Sequence, residues 1–235
     1  MALNYLGLVK TSLVDFPGRV AATLFTYGCN LRCPYCHNAN LVVGGIPEDF
    51  LSREEILRFL DRRRSVLDGV AITGGEPLLH KDLPELLREI RERGLQTKVD
   101  TNGLLPERIP DLDADYIAMD LKMAPEHYGR LGPLGVCDPA ERIRASLRAL
   151  RERRAAGRGS YELRTTVVPG LMDSEDFRGM AGELIPEERI VLAPFRGGHT
   201  LDPAFRDRAA PTPEDMRHYA ELLQASGADV VLREQ

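Results

Sequence analysis

Gly69-Val70-Ala71-Ile72-Thr73, the turn Gly74-Gly75-Glu76-Pro77, the stripe of Leu83, Leu86, Leu87 and Ile90, the stop at Gly94, and Gln96-Thr97-Lys98-Val99-Asp100-Thr101 form residues 69–101, the stretch that decides the fold. A continuously apolar, β-branched run reads as a strand buried on both faces, and apolar residues spaced by three and four read as one side of a helix. Strand, helix and strand in that order imply parallel pairing through a right-handed crossover. Working outward, further strands are expected at Val20–Tyr27, Tyr116–Leu121, Tyr161–Val168, Arg189–Ala193 and Asp229–Leu232. Ser52-Arg53-Glu54-Glu55 is a capping box that opens a helix running to Arg64. Ile143, Leu147 and Leu150 mark a helix ending near Gly157, and Thr212-Pro213 opens a last one with proline at its first position.

This alternation predicts an α/β protein, a single domain over residues 1–235, built as a partial (β/α)6 barrel with its site at the C-terminal ends of the strands. The helix and strand over residues 212–233 are expected to close the barrel, and Gly129–Pro139 to form a long loop. A doubly wound open sheet is the alternative.

Composition narrows the function. Lys plus Arg is 31 and Asp plus Glu is 36, a net charge of −5, so no basic field recruits nucleic acid or anionic lipid. The six arginines between Arg142 and Arg154 are diluted by glutamates and lack interleaved aromatics, and read as a solvated helix face. No run reaches the roughly 18 apolar residues of a membrane span, and no basic segment precedes an apolar one at the N-terminus. A cytoplasmic location is expected. Of four cysteines, three fall between Cys29 and Cys36, a ligand cluster rather than a disulfide framework.

Cys29-Asn30-Leu31-Arg32-Cys33-Pro34-Tyr35-Cys36 follows the first expected strand and sets three thiols at spacings of four and three. Three thiolates can hold three irons of a cubane [4Fe–4S] cluster and leave the fourth open to an external ligand. The competing reading is a zinc site completed by His37 or Cys137, although zinc normally takes two ligand pairs with a spacer. Cys137 lies about a hundred residues away and reads as a loop thiol.

The CxxxCxxC spacing, with Tyr35 before the last cysteine, resembles the radical S-adenosylmethionine (radical SAM) superfamily. Leu13-Val14-Asp15-Phe16-Pro17-Gly18-Arg19, Thr26-Tyr27-Gly28-Cys29 and Cys36-His37-Asn38 are similar to the glycyl-radical-enzyme activating enzymes, nearest the anaerobic ribonucleoside-triphosphate reductase activating proteins. The resemblance implies a barrel of the radical SAM type, a [4Fe–4S] cluster on Cys29, Cys33 and Cys36, and S-adenosylmethionine on the open iron, cleaved to a 5′-deoxyadenosyl radical. It also implies that Gly74-Gly75-Glu76-Pro77 holds the methionyl amino group and that Asp100, Asn102 and Lys122 contact ribose and carboxylate. Tyr35, Arg164 and Val168 would complete the cofactor pocket, Val168 against adenine. Asp100 and Asp120 would line a monovalent cation site. Strand-following Asp and Thr are equally helix N-caps, and Gly-Gly-Glu-Pro is equally a sharp turn. Pro194-Phe195-Arg196, with His199 beyond it, departs from the Pro-aromatic-His of the pyruvate formate-lyase activases and puts a histidine contact to ribose in doubt.

The activity this implies is abstraction of a glycine hydrogen from a partner enzyme, foremost anaerobic ribonucleotide reductase, with flavodoxin or ferredoxin as electron donor. A radical enzyme acting on a small heterocyclic molecule and a zinc-stabilised binding module are the alternatives.

Overall fold

The computed structural model describes residues 3–233, so the expected domain limits at 1 and 235 lie outside the described residues. In chain order its elements are β1 (Tyr5–Ser12), β2 (Ala21–Thr26), α1 (Ala39–Val43), β3 (Leu51–Ser52), α2 (Arg53–Arg63), β4 (Gly69–Gly74), α3 (Leu83–Arg91), β5 (Gln96–Thr101), β6 (Tyr116–Asp120), α4 (Pro139–Ala155), β7 (Ser160–Val167), α5 (Ser174–Ala181), β8 (Arg189–Pro194), α6 (Pro213–Gln224) and β9 (Asp229–Leu232).

One sheet, ordered β3-β1-β2-β4-β5-β6-β7-β8-β9, runs through the described residues. From β2 onward every neighbouring pair is parallel, and the parallel strands follow chain order without reversal. A doubly wound sheet would reverse its order at a switch point, so the topology is singly wound, as in a barrel. The sheet has two edges. β9 pairs with β8 and leaves the sheet open, so the C-terminal helix and strand extend the barrel wall where closure was expected.

The strands are apolar because both faces are covered. Val70, Ala71 and Ile72 of β4 and Val99 of β5 are inaccessible to solvent, and α3 seals one face with Leu83, Leu86, Leu87 and Ile90. The Ser52 capping box is present, with Ser52 Oγ accepting from the Glu55 amide at 3.3 Å and the Glu55 carboxylate accepting from the Ser52 amide at 2.9 Å. Phe177 of α5 is fully buried and stacks on Tyr219 of α6 with ring centres 4.1 Å apart, which joins the last two helices to the core.

Some elements lie outside the sequence expectation. β1 alternates poorly and is largely exposed at its centre, so it reads as neither a buried nor a half-buried strand. Its place comes from pairing antiparallel with β2 and β3. α5 starts at a capping box built from Asp173 and Asp176, a less familiar form than Ser with Glu. On α4 most of the arginines do face outward in ion pairs, but Arg153 is buried and donates to the carbonyls of Leu112, Ala114 and Arg158. It pins the helix to the loops at the N-terminal ends of β6 and β7. No described helix is long and apolar enough to cross a membrane.

Because Phe177 is fully enclosed, Phe177→Ala should cost about 3–5 kcal/mol of stability. Urea unfolding of the metal-free protein measures it, and a loss below about 1 kcal/mol would contradict the packing described.

Candidate functional site

β2 delivers the chain into the cysteine loop at one end of the sheet, and backbone contacts from four distant segments hold that loop. Gly28 donates to the carbonyl of Leu41 at 2.7 Å and Arg32 to that of Leu131 at 3.0 Å. The amides of Leu201 and Asp202 donate to Cys36 and Pro34 at 3.0 and 2.9 Å. His37 stacks on buried Phe195 and shares a hydrogen bond of 2.7 Å between Nε2 and the Arg196 carbonyl. Neither the Arg196 nor the His199 side chain lines the cavity below; the departure at this strand end is used to brace the loop from behind through His37.

The Gly74-Gly75-Glu76 turn after β4 packs directly on this loop. Gly75 and Glu76 donate to the carbonyls of Thr26 and Gly28 at 2.9 and 2.8 Å, and Asn38 Nδ2 donates to the Gly74 carbonyl at 3.1 Å. A Cβ on Gly75 would lie 2.0 Å from the Gly28 oxygen, so only glycine permits the approach.

The Glu76 side chain turns away from the cavity. Its carboxylate accepts from the amides of Leu78 (3.0 Å) and Asn102 (2.7 Å) and from Thr101 Oγ1 (2.9 Å), tying the turn after β4 to the end of β5. Burial, opposed by those donors, pushes the carboxyl up to about 7. These three donors are all within the chain and make the carboxylate a clasp between the two strand ends; Glu76 does not line the cavity. Pro77 and Val168 are likewise buried behind the cavity wall.

Across the strand ends runs an alternating chain of charges. Lys98 and Asp100 lie two apart on β5 and share a face. Lys98 Nζ contacts Asp100 Oδ1, and Asp100 Oδ2 accepts from Arg164 Nη1 at 3.0 Å. Register sets Asp120 of β6 beside Arg164 of β7, whose Nε and Nη2 both donate to Asp120 Oδ1 at 3.1 and 2.9 Å. Lys122 Nζ completes the series on Asp120 Oδ2 at 2.9 Å. Burial alone would raise the Asp120 carboxyl, but Lys122 and Arg164 bring it down to about 2. Against the same burial, Asp120 holds the Lys122 ammonium well above its ordinary value, and Asp100 and Asp120 do so for Arg164.

Loop, turn and charges converge on one cavity that is open to solvent at its mouth. Cys29, Cys33 and Cys36 line it together with Tyr35, Gly74 and Gly75, and Asp100, Asn102, Asp120, Lys122 and Arg164 form the facing wall. Asn38, Val42 and Thr73 also reach it and were not legible as site residues. Burial pushes the Cys29 thiol up to about 11 and Cys33 up to about 12 and raises Cys36, so the thiols are neutral until a metal centre displaces their protons. Asn102 Nδ2 donates to Asn30 Oδ1 at 2.7 Å and approaches Cys29 Sγ at 3.7 Å.

The donor set fits a sulfur-rich cluster with one position free. Arg164, Lys122 and the backbone of the glycine turn all line the cavity and fit the carboxylate and ammonium of S-adenosylmethionine. At the expected monovalent-cation position, all four carboxylate oxygens of Asp100 and Asp120 accept from Lys98, Arg164 or Lys122.

Residues 23–181 match the model of the radical SAM superfamily. A protein of Methanocaldococcus jannaschii named as a glycyl-radical enzyme activating enzyme is 30% identical over 232 residues, 97% of this chain and 94% of the relative. The pyruvate formate-lyase-activating enzyme of Clostridium pasteurianum is 40% identical over 98 residues, 39% of this chain and 40% of that protein. The crystal structure of Streptococcus suis SuiB bound to S-adenosylmethionine superposes with a TM-score of 0.60 at 16% identity, over 89% of this chain and 49% of that one, a likeness of fold alone. The chain belongs to the radical SAM superfamily and, within it, to the glycyl-radical enzyme activating enzymes. Members of the superfamily work with a [4Fe–4S] cluster and S-adenosylmethionine.

Gly75→Ala, with its Cβ 2.0 Å from the Gly28 oxygen, should displace the cysteine loop and lower the iron and labile sulfide retained after reconstitution. Gly45→Ala, which meets nothing within 4 Å, is the control and should retain both at wild-type levels. The carboxyl of Asp120 is depressed from 3.8 to about 2 in the folded chain, so its contribution is present above about pH 4 and lost as the pH falls towards 2. That contribution is on the order of 2 kcal/mol. Urea midpoints measured across this window should fall more steeply for the wild type than for Asp120→Asn.

Proposed function

We propose that this protein installs a glycyl radical on a partner enzyme, with anaerobic ribonucleotide reductase as the partner, flavodoxin or ferredoxin as electron source, and the cytoplasm as the compartment. Cys29, Cys33 and Cys36 would hold three irons of a [4Fe–4S] cluster and leave the fourth to S-adenosylmethionine. The observation that carries this reading is the match with an activating enzyme over 97% of this chain and 94% of that relative, joined to a cavity lined by three thiols together with Lys122 and Arg164. Bound together, the reduced cluster and S-adenosylmethionine supply reductive cleavage of the sulfonium and a carbon radical able to abstract hydrogen.

The chain's own residues bind, orient and exclude. Arg164 and Lys122 would take the methionyl carboxylate and the backbone of Gly74 and Gly75 the ammonium, since these cations and this backbone line the cavity on its two sides. Asp100 and Asn102 are placed to accept from and donate to ribose hydroxyls. Tyr35 and Leu31, both almost fully buried, close the thiol side against water and oxygen that would quench a primary radical. Glu76, Pro77 and Val168 act from behind, holding the wall in register. The chain 1–235 would act as one domain.

Anaerobic electron paramagnetic resonance tests the proposal with reconstituted protein, reductant, S-adenosylmethionine and the ribonucleotide reductase of the same organism. A carbon-centred doublet should appear on the reductase and be absent with Cys33→Ala. A cluster signal perturbed by S-adenosylmethionine, without a protein radical, would overturn the partner and direct attention to another glycyl-radical protein or a small substrate.

A further inference from the structure

Lys98 is the charged residue of this site that neither the sequence motifs nor the family assigns. It is 1% exposed, within a strand whose neighbouring residues are Thr97 and Val99, both fully buried. A lysine enclosed to that extent is costly unless its ammonium is paired. The pairing partner is Asp100, delivered to the same face by the pleat of β5. Asp100 in turn holds Arg164, and Arg164 holds Asp120. Lys122 closes the series on Asp120 at the cavity, and Glu162, buried and two residues before Arg164 on β7, adds a third carboxylate on the same face.

A dissolved monovalent metal ion seated between Asp100 and Asp120 would have to share carboxylate oxygens that each already accept from Lys98, Arg164 or Lys122. We infer that the Lys98 ammonium is the built-in cation of this site: it neutralises Asp100 and thereby positions Arg164 for the methionyl carboxylate, making cofactor binding independent of sodium and potassium. Lys98 is a positioning residue, acting through Asp100 and Arg164 without reaching the cavity itself. The inference rests on the proposed S-adenosylmethionine pocket, and its test reads binding, without reference to the partner enzyme.

The experiment is equilibrium dialysis of labelled S-adenosylmethionine against the anaerobically reconstituted protein in potassium, sodium or tetramethylammonium chloride at equal ionic strength. Wild-type affinity should agree within about twofold across the three salts. Lys98→Met, which keeps the stem and removes the charge, should bind about tenfold more weakly in tetramethylammonium chloride and recover saturably as potassium or sodium is added. A wild-type affinity that rises severalfold with either metal ion would overturn the inference. So would a Lys98→Met protein that is unaffected, or one weakened equally in every salt. Thallium-205 resonance on the wild type decides the matter without any variant: a bound thallium signal displaced by potassium would overturn the built-in cation, and its absence is expected. Failure of the wild type to bind S-adenosylmethionine in any salt would overturn the pocket assignment instead, whereas salt-independent binding with no glycyl radical would leave Lys98 in place and remove the partner.

Discussion

The alternating series Lys98, Asp100, Arg164, Asp120 and Lys122 is the constraint from which the rest of the site takes its geometry. Each member would be costly in the barrel interior alone: Lys98 pairs with Asp100 along β5, Lys122 with Asp120 at the end of β6, and Arg164 of β7 joins the two carboxylates. The series therefore works only if β5, β6 and β7 lie side by side and in register, which the parallel pairing of Asp120 with Arg164 provides. A register slip of one residue would turn one strand's charges to the helix-covered face and leave the others unpaired. Specificity of strand order and construction of the binding wall are thus one requirement. Bidentate contact of Arg164 with Asp120 fixes the plane of the guanidinium, so its remaining donor direction is set by the backbone rather than by a flexible side chain.

The second constraint is steric. The cysteine loop has little regular structure, and three thiols on a free loop would not hold a fixed spacing. What fixes it is the absence of side-chain atoms at Gly75, which lets the turn after β4 donate two amides into the loop entrance. On the opposite side the 201–202 segment donates to Pro34 and Cys36, so the loop is held from both flanks by backbone alone. Glu76 then couples this clamp to the end of β5, where the charge series begins. Cluster loop and charge wall are joined through one buried carboxyl.

Much of this was legible in the sequence because the deciding signals are local. The strand from Gly69, the leucine stripe ended by Gly94 and the boxes at Ser52 and Thr212 each follow from periodicity or end chemistry, and their elements stand where expected to within a few residues. Three thiols at spacings of four and three identified the loop for the same reason. Other features depend on distant partners. β1 has no clean alternation and owes its place to β2 and β3. Glu76, read as a ligand, also accepts from Thr101 and Asn102, partners 25 and 26 residues away that no local signal shows. Arg153 reads as one of a solvated run until three loop carbonyls are found around it. Lys98 carried a signal that alternation could have exposed: a lone charge in a buried strand, two residues before an aspartate, must share that aspartate's face.

Charge explains why loop and wall face each other. Three thiolates with a cluster form an anionic centre, and burial makes thiolates unfavourable until positive charge is supplied. Irons supply part of it at contact distance. Across the cavity Lys122 acts in the same direction, being among the groups that lower the Cys29, Cys33 and Cys36 values. A zwitterionic ligand with its carboxylate towards the wall and its ammonium towards the glycine carbonyls satisfies both sides at once. Reversing the ligand would set ammonium against Arg164 and Lys122. Like charges at short range in a poorly hydrated site disfavour that pose strongly. In the proposed pose the wall therefore sets the orientation of the bound molecule before any contact with the reacting group is made.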